Sequence, residues 1–260
     1  MEMSRKFLII FLLILHYTPL EASQDECSRV SRCKHHAPAV RFPFKLKGHH
    51  PDHCGYPGFE LYCTTEKETM VKLPSSGDFI VKSINYKSQF MDIADPDNCI
   101  PRRLLQHLNF SESPFHQFKI NIMDEYGPVV VHLEEFNLTF FNCSPGYRYT
   151  TQLISTSYKL SCLGAPGYEV RAIYAGEIIA GLGEALRLTS CRKIQTIKHV
   201  LMRGSDDHQY EFFLRFSWSL PICRSCEELG MRCRLKNWTI PPITECFNTT
   251  NKPDLLAKGM

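Results

Sequence analysis

The sequence predicts a mainly β protein, built of antiparallel sheets stapled by disulfides, with a few short helices. Three observations carry that expectation. Apolar and polar side chains alternate with period two over several segments, which puts them on opposite faces of a strand. Twelve cysteines, an even number, are spread along the chain. The 16 prolines and 14 glycines break it into short elements. At 43% hydrophobic and 22% charged residues, the 260-residue chain has the balance of a folded globular protein, which excludes wholesale disorder.

In order along the chain, residues 40–47 alternate first. Val40, Phe42, Phe44 and Leu46 share one face, and Arg41, Pro43, Lys45 and Lys47 share the other. Pro43 has no N–H to give a ladder, so this is an edge strand or a strand end. Tyr56-Pro57-Gly58 leads into Phe59–Cys63, and Pro followed by Gly suits the centre of a type II turn. Further strands are expected at 79–86 and 118–123, over the β-prone run 129–141, and at 168–174. In residues 210–218, Tyr210, Phe212, Leu214, Phe216 and Trp218 line one face. The one good helix candidate is 177–188, weakened by Gly181 and Gly183.

The N-terminus points to the compartment. Arg5 and Lys6 precede an apolar run from Phe7 to Leu15, and small residues follow near Ala22 and Ser23. That order is a secretory signal peptide, expected over residues 1–23, and no run is long enough for a transmembrane helix. The net charge of +3 is mild. In an oxidising compartment Cys27, Cys33, Cys54, Cys63, Cys99, Cys143, Cys162, Cys191, Cys223, Cys226, Cys233 and Cys246 read as six disulfides. The spacing leaves about ten thousand pairings open. Glycosylation sequons stand at Asn109, Asn137, Asn142, Asn237 and Asn248.

Cys27-x5-Cys33, then Val40-Arg41-Phe42-Pro43-Phe44, then Cys54-Gly55-Tyr56-Pro57-Gly58-Phe59-Glu60-Leu61-Tyr62-Cys63 resembles the galacturonan-binding domain of plant wall-associated receptor kinases. The resemblance runs on through Ile84-Asn85-Tyr86 to Asp95-Pro96 and Cys99. Near the other end, Cys223-x2-Cys226-Glu227-x2-Gly230-x2-Cys233 is similar to the C-terminal wall-associated module, with Arg234 where that module usually has Gly. It implies a galacturonan-binding domain over 24–103, a β-rich region over 104–247 ending in a Cys-rich module, and a loose tail over 248–260. A soft boundary is expected near 101–113. The overall likeness is to the ectodomain of plant membrane RING-finger ubiquitin ligases. Within residues 1–260 neither a transmembrane helix nor a catalytic domain is expected, and no histidine after His208 supplies a RING's ligands.

One stretch stands out in charge. Residues 28–51 hold Arg29, Arg32, Lys34, Arg41, Lys45 and Lys47 with His35, His36, His49 and His50, and no acid. A galacturonate chain is a polyanion, and spaced cations on an exposed edge can hold it. The expected ligand-binding residues are Arg41, Lys45, Lys47, His49 and His50, with Tyr56, Phe59 and Tyr62 as surface for sugar rings. The plain alternative is a solvated polar face. A second acid-free stretch, 185–205, carries Arg187, Arg192, Lys193, Lys198 and Arg203. Protonated histidines would strengthen polyanion binding in acid.

No catalytic residue, cofactor or metal site is expected. Adjacent histidines on a strand face opposite ways and chelate poorly, and the same holds for Glu134 and Glu135 as a glycosidase pair. Cys223-x2-Cys226 reads as structural rather than redox or zinc-binding. Gly181-x-Gly183 lacks the context of a dinucleotide loop. The expected function is a secreted, non-catalytic module holding acidic cell-wall polysaccharide, with no nucleic acid partner. Two rivals stand beside it. One is a truncated relative of a membrane RING-type ligase; the other is an ectodomain that binds a peptide or protein.

Overall fold

Val40, Phe42, Phe44 and Leu46 are each 4% exposed or less, as their alternation requires. The backbone beneath them is not one strand. In the computed structural model, which describes residues 26–106, 108, 110–117, 136–144, 157–174, 191–204, 210–237 and 242–248, Val40 makes only an isolated bridge to Ser31. Strand β1 is just Lys45–Leu46. Between them a tight turn closes with Phe44 N–H donating to Arg41 C=O at 2.9 Å, and the Phe42–Pro43 peptide is cis. A cis proline at the third position defines a type VI turn. Pro43 interrupts the ladder, as its missing N–H requires, while the burial period survives.

The described residues fall into two compact units drawn from interleaved segments. One takes the chain up to Val71, Ile84–Gln89 and Trp218 onward; the other takes Lys72–Ser83 and Phe90–Ser217. This division differs from the 24–103 and 104–247 expectation. The soft boundary at 101–113 falls instead on helix α1 (Ile100–Leu105). Each of the six disulfides closes inside one unit.

In the first unit β1 pairs with β2 (Glu60–Cys63), which pairs with β3 (Thr69–Leu73). The β1–β2 pair is parallel, Lys45 opposite Glu60, against the antiparallel expectation. β2–β3 is antiparallel. The Pro57–Gly58 turn forms as expected: Phe59 N–H donates to Tyr56 C=O at 3.0 Å and Gly58 has φ 83°. Disulfides Cys27–Cys54, Cys33–Cys63, Cys223–Cys233 and Cys226–Cys246 staple this unit.

Its C-terminal part is helix α2 (Arg224–Glu228) followed by the antiparallel hairpin β12 (Arg232–Asn237) and β13 (Ile243–Phe247). The spacing of the cysteine motif makes sense at the helix end. Met231 N–H reaches Cys226 C=O at 2.9 Å and Gly230 N–H reaches Glu227 C=O at 3.1 Å. These two bonds are a Schellman cap, which needs a left-handed residue at the Gly230 position, where φ is 71°. Cys223, Cys226 and Cys233 then pack with Phe42, flanked by Tyr56, Met231 and Leu235. Phe44, Phe59 and Trp218 meet edge-to-face, with Phe44–Trp218 centroids 5.2 Å apart.

The second unit holds β4 (Gly77–Asn85, as far as Ser83), β5 (Phe90–Ala94), β11 (Tyr210–Ser217), β10 (Cys191–Gly204), β7 (Phe136–Cys143), β9 (Glu169–Tyr174) and β8 (Ser157–Lys159) in that sheet order. β6 (His116–Gln117) adds onto β11. Leu138, Phe140, Leu160, Val170, Ala172 and Ile197 form a buried core. Disulfides Cys99–Cys162 and Cys143–Cys191 join its elements. Arg215 holds Asp92 bidentately at 2.6 and 2.8 Å and lies over the Phe90 ring. Phe213 is buried as well as Leu214 and Phe216, so β11 is covered on both faces rather than one.

The signal peptide, the strand at 118–123, Glu134–Glu135, the helix at 177–188 and the tail beyond Asn248 lie outside the described residues. Among the described residues no helix is long and apolar enough to cross a membrane.

Candidate functional site

The charged stretch 28–51 has no acid of its own, yet the fold brings it several. Lys34 pairs with Glu68. Arg41 turns inward: its guanidinium lies 3.7 Å over the Tyr86 ring and grips both oxygens of Glu227 on α2, at 2.6 and 2.7 Å. The two side chains keep only 15% and 11% of their exposure. The Tyr86 hydroxyl donates to Ala39 C=O at 2.7 Å and accepts from Arg41 N–H at 3.0 Å. Burial pushes its phenol well above the ordinary tyrosine range. Arg41 is thus committed to a fold contact, and the expectation that it faces a ligand is corrected.

Phe59 is corrected for the same reason. It is wholly buried, its ring taken up by Phe44, Tyr56 and Trp218, and it offers no surface to a sugar. Tyr56 is half-buried against Phe59 and the Cys223 cluster. Tyr62 is half-buried on β2.

Lys45 lies on the edge strand β1 and reaches Asp52 at 2.8 Å and Glu60 at 2.9 Å. The hydrogen bond to Asp52 raises the lysine's pKa, and Lys45 in turn lowers that of Asp52. The stem of Lys45 runs across Gly55. A Cβ there would stand 2.7 Å from Lys45 Cγ and 2.8 Å from its Cβ. The glycine of the Cys-Gly-Tyr motif is therefore a floor for the Lys45 side chain, and its φ of −104° is open to any residue.

Beyond β1 the loop turns through Gly48, φ 76°, with His49 and His50 N–H groups both donating to Leu46 C=O. Lys47 and His49 are exposed. Among the described residues, Lys47 and Arg29 form no ion pair. His49 Nε2 stands 3.9 Å from the Cys63 sulfur. His50 is buried instead. Its Nδ1 accepts the Leu46 N–H at 3.0 Å, so the proton sits on Nε2, on the side of the Arg29 backbone. Burial lowers its pKa, and His49 and Arg29 lower it further. His50 is thus a structural strut, not a ligand-facing cation. His53 is exposed close to Asp52, which its charge also influences.

The surviving candidate surface is Arg29, Lys45, Lys47, His49 and His53, with Asp52 and Glu60 set among them. Sequence reasoning missed Arg41's partner because Glu227 lies far along the chain. It left His53 out of the binding set, reading His49-His50-x2-His53 only as a weak metal-ligand cluster. Cys27, His53 and Cys54 lie within metal-ligand distance of one another, but both sulfurs are joined to each other and cannot ligate. Asn137, Asn142, Asn237 and Asn248 are exposed, and Asn109 lies outside the described residues. In the second stretch Arg192 and Lys193 are exposed on β10.

Residues 27–95 match the family described as wall-associated receptor kinase galacturonan-binding. The chain is similar to the RING-H2 finger protein ATL22 of Arabidopsis thaliana, 29% identical over 97% of this chain and 62% of that protein. RING-H2 finger protein ATL20 of the same plant is 28% identical over 62% of this chain and 50% of its own length. The Arabidopsis leaf rust 10 disease-resistance locus receptor-like protein kinase-like 1.2 is 34% identical over 75% of this chain, but only 29% of the kinase. The chain thus spans less than two thirds of the length of these relatives. No solved structure matches it.

Proposed function

We propose that this chain is an extracellular, non-catalytic module that holds galacturonan at the β1 edge, where Arg29, Lys47 and His49 supply exposed charge beside the paired Lys45. One observation supports the reading: Lys45 and the exposed Arg29, Lys47 and His49 fall in the segment that matches a galacturonan-binding family, and among the described residues β1 ends its sheet. An edge strand leaves its polar side chains reachable, and spaced ammonium and guanidinium groups complement uronate carboxylates. Tyr62 on the neighbouring strand supplies ring surface. The six disulfides and the exposed sequon asparagines support secretion and glycosylation.

Retention of the oxidised chain on de-esterified polygalacturonate tests this. Binding should fall steeply with added salt and vanish on fully methyl-esterified pectin, because the attraction is between exposed charges. Retention indifferent to salt, or none at all, overturns the reading.

A further inference from the structure

Lys45 Nζ lies within 3 Å of two carboxylates, Asp52 and Glu60, Lys47 is within electrostatic reach of Asp52, and Arg29 is the third cation of the proposed edge. With neutral imidazoles the edge therefore carries a net charge of about one. His49, in the loop after β1, and His53, beside Asp52, are both exposed, and protonating them would bring the net charge of this region to about three. We propose that this edge is a proton-gated polyanion site, in which His49 and His53 supply the decisive charge and polyuronate binds tightly only in acid.

The inference rests on the galacturonan reading and adds its regulation. The groups around the two imidazoles fit the role. His49 borders the Cys33–Cys63 disulfide, whose sulfurs hold no charge, and lies within electrostatic reach of His50, while His53 stands beside Asp52 and the Cys27–Cys54 disulfide. His50 contributes less to the switch because burial lowers its pKa and turns its ring away from solvent. Lys45 is already held by its two carboxylates, so its charge is largely spent inside the protein. Uronate carboxylates, like other carboxylates, titrate near about 3.5, so the ligand keeps its charge while the imidazoles gain theirs.

The test is binding of the oxidised full chain to polygalacturonate at about pH 5 and about pH 7.5, at one ionic strength. Affinity should be roughly tenfold higher in acid, the size expected for two added surface charges. The double variant His49→Gln, His53→Gln should bind at both values as the parent binds near neutrality. Circular dichroism checks that it is folded. Equal affinity of the parent at both pH values overturns the gate and leaves the galacturonan reading standing. An unchanged acid gain in the variant overturns the assignment to these two histidines. Absence of binding at either pH overturns both readings.

Discussion

Arg41 and Glu227 are 186 residues apart in sequence and meet in a bidentate pair at 2.6 and 2.7 Å, stacked on Tyr86. Beside them the Gln89 side chain accepts the N–H groups of Cys223 and Arg224 and donates to Trp218 C=O. Cys223, the N-cap of α2, gives the helix no side-chain cap, so a distant glutamine supplies the missing acceptor. Residues 27–71 and 84–89 of the segment that matches the galacturonan-binding family thus share one folded unit with the C-terminal cysteine module.

Removing one half of the pair should therefore cost stability. Glu227→Gln or Arg41→Ala is expected to lose about 3 kcal/mol in denaturant unfolding of the oxidised chain, since the remaining charge stays largely buried. Replacing both, with Arg41→Met and Glu227→Leu, should recover most of the loss. A double variant as unstable as the singles would show that the contact does not act through its charges.

The edge cations should behave oppositely. Lys47→Glu is expected to weaken polygalacturonate binding about tenfold and leave the unfolding midpoint unmoved, because exposed charges contribute little to stability. A binding assay run beside thermal unfolding separates the two effects. A large stability loss would mean Lys47 has a structural role.

Gly55→Ala should displace the Lys45 stem and lower stability by about 1–2 kcal/mol through overpacking. Lys45→Gly in the same chain removes both the Cβ and the Cγ that crowd the new methyl group. Recovery of stability in the double variant checks that the clash is with that side chain, as the 2.7 Å approach requires.

Gly230→Ala should cost about 1 kcal/mol, because φ of 71° is left-handed and the Schellman cap depends on it. Gly230→Asn should cost less, as Asn tolerates that region better. Unfolding curves of the two variants give the comparison.

His50 predicts a pH dependence with a definite sign. Burial lowers its pKa in the folded state, so the unfolded chain takes up a proton first as pH falls. The stability it contributes is complete above about 6.5 and is lost as pH drops from there through the lowered folded value. His50→Asn, whose amide oxygen can still accept a hydrogen bond, should flatten stability over that window. Unfolding free energies at several pH values check it.

Much of the architecture was legible from local pattern. The Pro57–Gly58 turn, the burial of Val40, Phe42, Phe44 and Leu46, and strands β2, β4, β9 and β11 each follow from a few neighbouring residues. β3, β5, β10 and the β12–β13 hairpin went unread, because their burial comes from the strands they pair with. Pro43 showed where a ladder had to break, but not that β1 would then pair parallel to β2.

Charge was where sequence reading reached its limit. The amino-acid order alone established an even cysteine set, a run of cations without acids, and motifs that resemble the galacturonan-binding domain. Only the tertiary structure selected one disulfide pairing from some ten thousand, turned Arg41 to Glu227, buried Phe59 and His50, and set Asp52 and Glu60 beside Lys45. The reason is distance. Coulomb attraction and desolvation depend on separation in space, and folding brings carboxylates from elsewhere in the chain to cations whose sequence neighbours hold none.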